Sequence, residues 1–557
     1  MAPEAQTDDL AVRRVSVIRT AVDESTVHEA AAATEAEHSM GLLKSLKLYR
    51  KACLWSIFLS TCIVMEGFDI VILNNLYAYP PFQRKFGIEQ ADGTYQLTAA
   101  WQSGLSNGAL CGQVIGLFAN GIIADRFGYR KTMIGALLAC VGFIFIIFFS
   151  ETLVQLLIGE ILIGIPWGVF QTLTTTYAAE VCPTHLRAYL TTYVNLCWVM
   201  GQFIASGDKW GYKIPFALQW MWPVPLMIGI YLAPESPWWL VRRGRLDDAK
   251  RSLTRLTTRN SGVPFQPDET VSMMVHTNEM EKEMTSGISY TDLFKGSNLR
   301  RTEIVCTVWM IQTLCGSTFM GFSTYFYQQA GMAVENSFSM SLGQYALGAV
   351  GTMTSWFLMG WFGRRTLYLG GQLLMCGLLL TIGCVAFAGR ENVAAQWAIG
   401  SLLLVYTFTY DATVGPVCYS LVSELTSTRL RTKSVVLARN MYNIVGIATN
   451  IITPLMLNPT AWNWGAKSGF FWAGTCFVCA VWTFFRLPEP KGRTYGELDI
   501  LFENRVSARK FKTTSVDRLD GHNAERTSEK EKGLTRSWWS AWTADPETSV
   551  VREEIKL

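Results

Sequence analysis

Apolar residues gather into long runs parted by short polar stretches. About twelve of these runs reach the roughly 20 residues that cross a bilayer's hydrocarbon core as a helix. They fall at 52–78, 97–120, 132–150, 153–178, 189–207, 216–233, 303–327, 340–360, 366–388, 397–422, 434–457 and 468–487. The pattern predicts an all-α membrane protein with twelve transmembrane helices. It divides the chain into a tail (1–51), a six-helix bundle (52–233), a polar linker (234–302), a second six-helix bundle (303–487) and a second tail (488–557). Residues 1–48 mix charges with no apolar core, unlike a cleavable signal peptide, so the first run acts as an uncleaved anchor.

Composition agrees. Half of the 557 residues are hydrophobic and only 17% are charged, against about 25% in a soluble chain. The net charge of +4 is too small to argue nucleic-acid binding. Thirteen cysteines, an odd number, lie mostly inside the apolar runs (Cys53, Cys62, Cys111, Cys140, Cys376, Cys384) without metal-ligand spacing, and read as small packing residues. There is no phosphate-binding loop, and five histidines supply no metal cluster. No enzyme, cofactor or metal is expected. Basic residues in the connections (Lys131, Arg364, Arg365, Arg429, Arg431, Lys433) and around Arg242, Arg243 and Arg245 put both termini in the cytosol. The segment near Ser337 then lies outside. Arg84, Lys85, Lys209 and Lys213 run against this orientation.

The two bundles repeat each other. "GIIADRFGYRK" (121–131), "EVCPTHLR" (180–187) and "PESPWWL" (234–240) recur in order as "GWFGRR" (360–365), "ELTSTRLR" (424–431) and "PEPKGRT" (488–494). Parallel repeats of this kind build carriers. This ordered set resembles the sugar porter branch of the major facilitator superfamily, over about residues 50–503. "MEGFD", "GIPWGVFQTLTTTYAAEVCP", "LRAYLTTYVNLCW" and "VGPVCYSLVSE" resemble fungal α-glucoside (maltose-type) permeases. The resemblance implies the major facilitator fold. It also implies a gate at the loop ends made by Asp125, Arg126, Arg130, Glu180, Arg187, Glu235, Arg364, Glu424, Arg431 and Glu489, whose charges pair across the halves when the inner side closes. The plainer reading is that these are solvated charges that fix topology.

Ionisable residues inside spanning helices are costly and usually face a cavity or a partner. Glu66 and Asp69, three residues apart and so on one helical face, are joined by Glu160 and Asp411 against a single internal cation, Arg439. Desolvation and like charge both favour protonating at least one of these acids. The resemblance assigns proton coupling to Asp69, but where relatives carry a fourth-helix arginine this chain has Glu160. A sugar needs neutral donors and acceptors with a stacking ring. Gln312, Asn195, Gln202, Gln171, Thr318, Tyr419 and Asn443 are the candidates; the alternative role for each is bonding between helices. Pro166, Pro223, Pro225 and Pro416 interrupt apolar runs, "GPVCY" being a flexing point, and "WWL" and "WNW" read as interfacial anchors. Leu246, Leu253 and Leu256 fit a short amphipathic helix in the linker.

The expected function is proton-coupled symport of an α-glucoside through the plasma membrane by a monomer. The expected partners are sugar, protons and the lipid bilayer. A proton-independent facilitator and a sugar receptor of the same fold are the alternatives.

Overall fold

The computed structural model describes residues 42–90, 93–206, 214–258, 265–285, 290–389, 391–426, 430–491, 493 and 495–514. Outside the described residues lie residues 1–41 and 515–557, Lys209, Lys213 and Arg429, and the side chains of Arg187 and Arg431.

Among the described residues ten helices are long and apolar enough to cross a membrane: α1 (Arg50–Leu76), α2 (Ala99–Phe127), α3 (Tyr129–Phe148), α4 (Leu153–Val181), α6 (Ile214–Leu232), α7 (Gly296–Gly321), α9 (Arg364–Ala388), α10 (Val393–Leu425), α11 (Lys433–Leu457) and α12 (Gly465–Arg486). Two more expected spans, α5 (Thr184–Ser206) and α8 (Val334–Trp361), are helices of full length that fall short in hydropathy. Their polar residues explain the shortfall: Thr192, Asn195 and Gln202 on α5, and Ser341, Gln344, Thr352 and Ser355 on α8, are buried against neighbouring helices. Thr192, Ser341 and Gln344 bond to neighbouring helices, Thr352 and Ser355 bond to carbonyls of α8 itself, and Asn195 and Gln202 face the space between the halves.

Helix ends follow local chemistry. Thr152 and Gln155 form a reciprocal cap on α4, and Asn392 accepts the amides of Ala394 (3.0 Å) and Ala395 (3.3 Å) at the start of α10. Gly128, at φ +89°, turns the chain between α2 and α3, where a side chain would be strained. Within the first bundle α2 packs on α4 so closely at Gly112 and Gly164 that a Cβ on either would strike the other helix's backbone.

The halves touch at the end away from the charged loops, here the far end. Thr324 donates to Asn75 Oδ1 (2.7 Å), Gln328 to the Ala78 carbonyl (2.8 Å) and Asn458 to the Leu97 carbonyl (2.7 Å). Tyr77 stacks on Phe322, ring centres 6.1 Å apart. A small antiparallel hairpin (Ile88–Glu89 with Tyr95–Gln96) between α1 and α2 was not foreshadowed by any alternation in the sequence. Ser337, expected in an outer connection, is instead buried inside α8; the exposed turn before it holds Gly331 and Ala333.

In the linker the amphipathic helix forms as Leu246–Leu256, with Leu253 and Leu256 buried and Leu246 exposed. Trp239 is no surface anchor: it is buried, and its indole N–H donates to the Asp125 carbonyl at 3.1 Å. Trp462 and Trp464 remain exposed.

Candidate functional site

A cavity of about 470 Å³ lies between the halves. Its lining runs from Asn74, Ser106 and Asn450 near the far-end contacts to Ala179 and Ser423. These last two stand one residue before Glu180 and Glu424 of the repeated loops. The cavity therefore reaches the loop end, while the halves are bonded together at the other.

Two devices shape it. In α7 the chain widens into a π turn over Thr313–Ser317, with Gly316 at φ +98°. This break brings Thr313, Ser317 and Thr318 to the cavity wall. The carbonyls it frees are taken up, Leu314 by Thr475 (2.7 Å) and Cys315 by the Tyr406 hydroxyl (2.8 Å). In α10 the helix breaks at Thr413, three residues before Pro416, and Gln312 donates to the Gly415 carbonyl at 2.9 Å.

The two acids of "MEGFD" separate. Glu66 lines the cavity; its Oε1 accepts from Gln113 at 2.9 Å and from Gln171. Asp69 is not among the lining residues: its carboxylate accepts from Gln219 of α6 (2.5 Å) and Trp167 of α4 (3.4 Å) inside the first bundle. A three-residue step turns 60° short of a full circle, enough to send them to different neighbours. Arg439 lines the cavity and donates from Nε to Gln171 Oε1 at 3.0 Å. Its guanidinium lies over Tyr442 (4.4 Å) and Trp309 (4.7 Å). Gln171 thus joins acid to base across the halves. Among the described residues no ion pair links Arg439 to Glu160 or to any other carboxylate.

Six cavity-lining residues carry a buried polar atom with no hydrogen-bond partner in the protein: Glu66 Oε2, Glu160 Oε1, Asn195 Nδ2, Gln202 Oε1, Trp309 Nε1 and Thr318 Oγ1. Buried polar groups are almost always paired. A set of donors and acceptors converging from four helices is chemistry for a polyhydroxylated ligand. Tyr419 packs edge-on to Trp309 at 4.9 Å and, with Tyr442, gives the site an aromatic wall. Trp309, Tyr442 and Gln113 were not singled out from sequence. Trp309 and Tyr442 sit at i−3 of Gln312 and i+3 of Arg439, the helical spacing that would have found them. Asn443 and Asp411 are buried but do not line the cavity; Asp411 packs against the Gly348 and Gly351 notch of α8.

Among the described residues the loop-end acids pair within their own half or with the linker, not across the halves. Glu180 accepts from Arg242 (2.7 Å), from the Tyr129 hydroxyl (2.9 Å) and from Ser236. Glu424 pairs with Arg364 (3.2 Å). Glu235 caps α3 through the amides of Tyr129 (3.0 Å) and Arg130 (3.3 Å), and Glu489 caps α9 through those of Arg364 (2.8 Å) and Arg365 (3.1 Å). Burial pushes the Glu235 carboxyl up, against the pull of those amides and of Arg130. Arg242 was not among the expected gate residues. Asp125 contributes through its carbonyl, which accepts from Trp239 and Arg243, and Arg126 lies over the Phe127 ring at 5.7 Å. The expected pairing across the halves belongs to a state closed at the loop end; here the cavity reaches that end, and the side chains of Arg187 and Arg431 lie outside the described residues.

Residues 55–502 match the family model "Sugar (and other) transporter". A general alpha-glucoside permease of Saccharomyces cerevisiae is 44% identical over 518 residues, covering 91% of this chain and 84% of the relative. The maltose permease MAL61 of Saccharomyces cerevisiae is 43% identical over 514 residues, covering 89% and 82%. Among solved structures, a partially occluded inward open conformation of the xylose transporter XylE from E. coli aligns with TM-score 0.64 at 18% identity, over 80% of this chain and 99% of that one. The same transporter bound to 6-bromo-6-deoxy-D-glucose aligns with TM-score 0.63 at 19% identity, over 82% and 99%.

Proposed function

The chain belongs to the sugar transporter family, carriers rather than enzymes, and from that premise we propose that it is a plasma-membrane symporter moving maltose-type α-glucosides with protons. The observation that carries this reading is the convergence of unpaired amides, carboxylates, a hydroxyl and aromatic rings on one cavity between the halves. Neutral amides with rings suit a sugar, whose rim of hydroxyls needs donors and acceptors and whose C–H faces pack on aromatics. The yeast relatives named as α-glucoside and maltose permeases support a disaccharide over a hexose.

Proton coupling rests on Glu66. A carboxylate in a spanning helix, with one oxygen unpartnered, is stable either protonated or with a cation drawn close. Gln171 makes the choice depend on the sugar: a hydroxyl that takes over its amide uncouples Glu66 from Arg439, and Glu66 then holds its proton through the crossing. Once the cavity opens to the cytosol the proton leaves to water, and Gln171 rejoins the pair. Asp69, held within the first bundle, is the second acid of this mechanism; Glu160, on the cavity wall, and Asp411, packed against α8, are the other buried acids it can draw on. Gln312, Asn195, Gln202, Thr318 and Tyr419 hold the sugar, with Asn443 behind them on α11. Both termini face the cytosol, and a single chain suffices because one bundle pair encloses the cavity.

Radiolabelled maltose and glucose uptake in a host without its own carriers, with external pH recorded, tests the proposal. Maltose uptake with alkalinisation of the medium is the expected result. Glucose-only uptake would sink the substrate assignment, and maltose uptake without any pH change would sink the coupling.

A further inference from the structure

We propose that residues 505–512, just beyond the last spanning helix, bind anionic phospholipid headgroups of the adjoining leaflet. The stretch "RVSARKFK" carries Arg505, Arg509, Lys510 and Lys512 and no acid. All four cations are exposed. Among the described residues none of them is paired with a carboxylate. Surface charges of one sign without interleaved acids are the mark of a partner of the other sign.

The stretch is nevertheless held in place. Phe502 and Phe511 are buried and meet edge-on at 5.0 Å, and Ala508 is buried between them in sequence. Arg301 lies over the Phe502 ring at 4.4 Å, and Arg300 donates to the Val506 carbonyl at 2.7 Å. Both arginines belong to the first turns of α7. The segment is thus pinned to the bundle by its apolar side and presents its basic side outward.

Its depth is set by Arg509, whose guanidinium lies over Phe484 (4.9 Å) and Phe485 (5.2 Å). These rings, in the last turn of α12, are 42% and 53% exposed. On the outer face of a spanning helix such rings border acyl chains, and the basic groups just above them stand at headgroup level. Arg365 shares the same ring: its guanidinium is 5.8 Å from the Phe484 centre and donates to the Phe484 carbonyl at 2.7 Å. Two guanidiniums on one ring repel each other, and Glu489, the acid facing Arg365, is already engaged by the amides of Arg364 and Arg365. A phosphate between them relieves that repulsion and offers oxygens to two planar forks. Inorganic phosphate would satisfy the cations alone. A phospholipid satisfies the cations and covers the rings, so the lipid is the occupant favoured. Clusters of four or more basic residues beside a spanning helix attract acidic lipids in this way. The site is separate from the sugar cavity, and only the identity of the leaflet depends on the orientation proposed above.

The full-length protein in neutral detergent provides the test, with thermal unfolding followed while phosphatidylserine, phosphatidylcholine or inorganic phosphate is added. Phosphatidylserine should raise the unfolding midpoint, and the other two should not. Added NaCl at about 0.5 M should remove most of the effect by screening. The variant R505Q/R509Q/K510Q/K512Q should bind phosphatidylserine about tenfold or more weakly, whereas R505K/R509K should keep most of the response. Equal stabilisation by phosphatidylcholine, equal stabilisation by inorganic phosphate, or an unchanged response in the quadruple variant each overturns the proposal. If that variant fails to fold, the salt arm on the wild-type protein decides: a response indifferent to salt rejects the site.

Discussion

Glu66 and Arg439, one from each half, do not touch: Gln171 lies between them, donating to the carboxylate and accepting from the guanidinium at 3.0 Å. A direct pair at this depth would be hard to open, because breaking it leaves two uncompensated charges in a poor dielectric. An amide bridge spreads that cost over two hydrogen bonds, each worth about 1.5–3 kcal/mol when a charged group is involved.

Glu66→Gln keeps size and hydrogen bonding but deletes the titrating group. The variant should reach the membrane and bind sugar, yet lose uphill accumulation and the alkalinisation of the medium. Asp69→Asn should impair coupling less, since Asp69 is bonded to Gln219 and Trp167 and does not line the cavity. Accumulation with and without a protonophore measures both. If Glu66→Gln still concentrates sugar in a protonophore-sensitive way, the proton is carried elsewhere.

Gln312→Ala should show two defects at once. It strands the Gly415 carbonyl beside the α10 break and removes an amide from the cavity wall. A stability loss of about 1–3 kcal/mol is expected for the unpaired carbonyl, together with weaker sugar binding. Thermal unfolding and binding on the same purified variant separate the two; a normal unfolding midpoint would show that the carbonyl finds another partner.

At Gly316 the backbone has φ +98°, and an added Cβ would meet Trp472 Cβ at 3.1 Å. Gly316→Ala should therefore cost roughly 1–3 kcal/mol in strain and collapse transport by straightening α7 away from the cavity. Gly377→Ala, where an added Cβ meets nothing within 4 Å, is the control. Equal uptake by the two variants would remove the α7 break from the mechanism.

Topology is testable with single cysteines in a background stripped of reactive thiols. Glu335→Cys, on an exposed first turn of α8, should react with an impermeant maleimide in intact cells. Arg251→Cys, whose side chain is 80% exposed on the linker helix, should react only after permeabilisation. The reverse pattern inverts the proposed orientation.

Much of this architecture was legible because hydrophobic length is a coarse property. A run such as 397–422 is long enough to span whatever its neighbours do, and α10 was observed at Val393–Leu425. The family was legible because the loop motifs recur in register, and the relatives confirm it. Side-chain direction was not. A period of 3.6 places Glu66 and Asp69 on roughly one face, yet that face is wide enough to meet the cavity at one residue and α6 at the other. Partners across the chain were equally hidden: nothing local in "WWLVRR" says that Arg242 will claim Glu180, since that pairing depends on how α4 ends against the linker. Nor does the sequence fix a conformational state: that the cavity reaches the loop end is visible only in the structure.

The far-end contacts hold a last consequence. Thr324 to Asn75, Gln328 to Ala78 and Asn458 to Leu97 are hydrogen bonds between uncharged groups, and no ion pair among the described residues joins the halves there. Neutral bonds do not titrate and are little affected by salt. If that end faces the medium, the outer door is deaf to the acidity and ionic strength of the surroundings. External protons then influence the carrier through the buried carboxylates and not by loosening its seal, so driving force and leakage can vary independently.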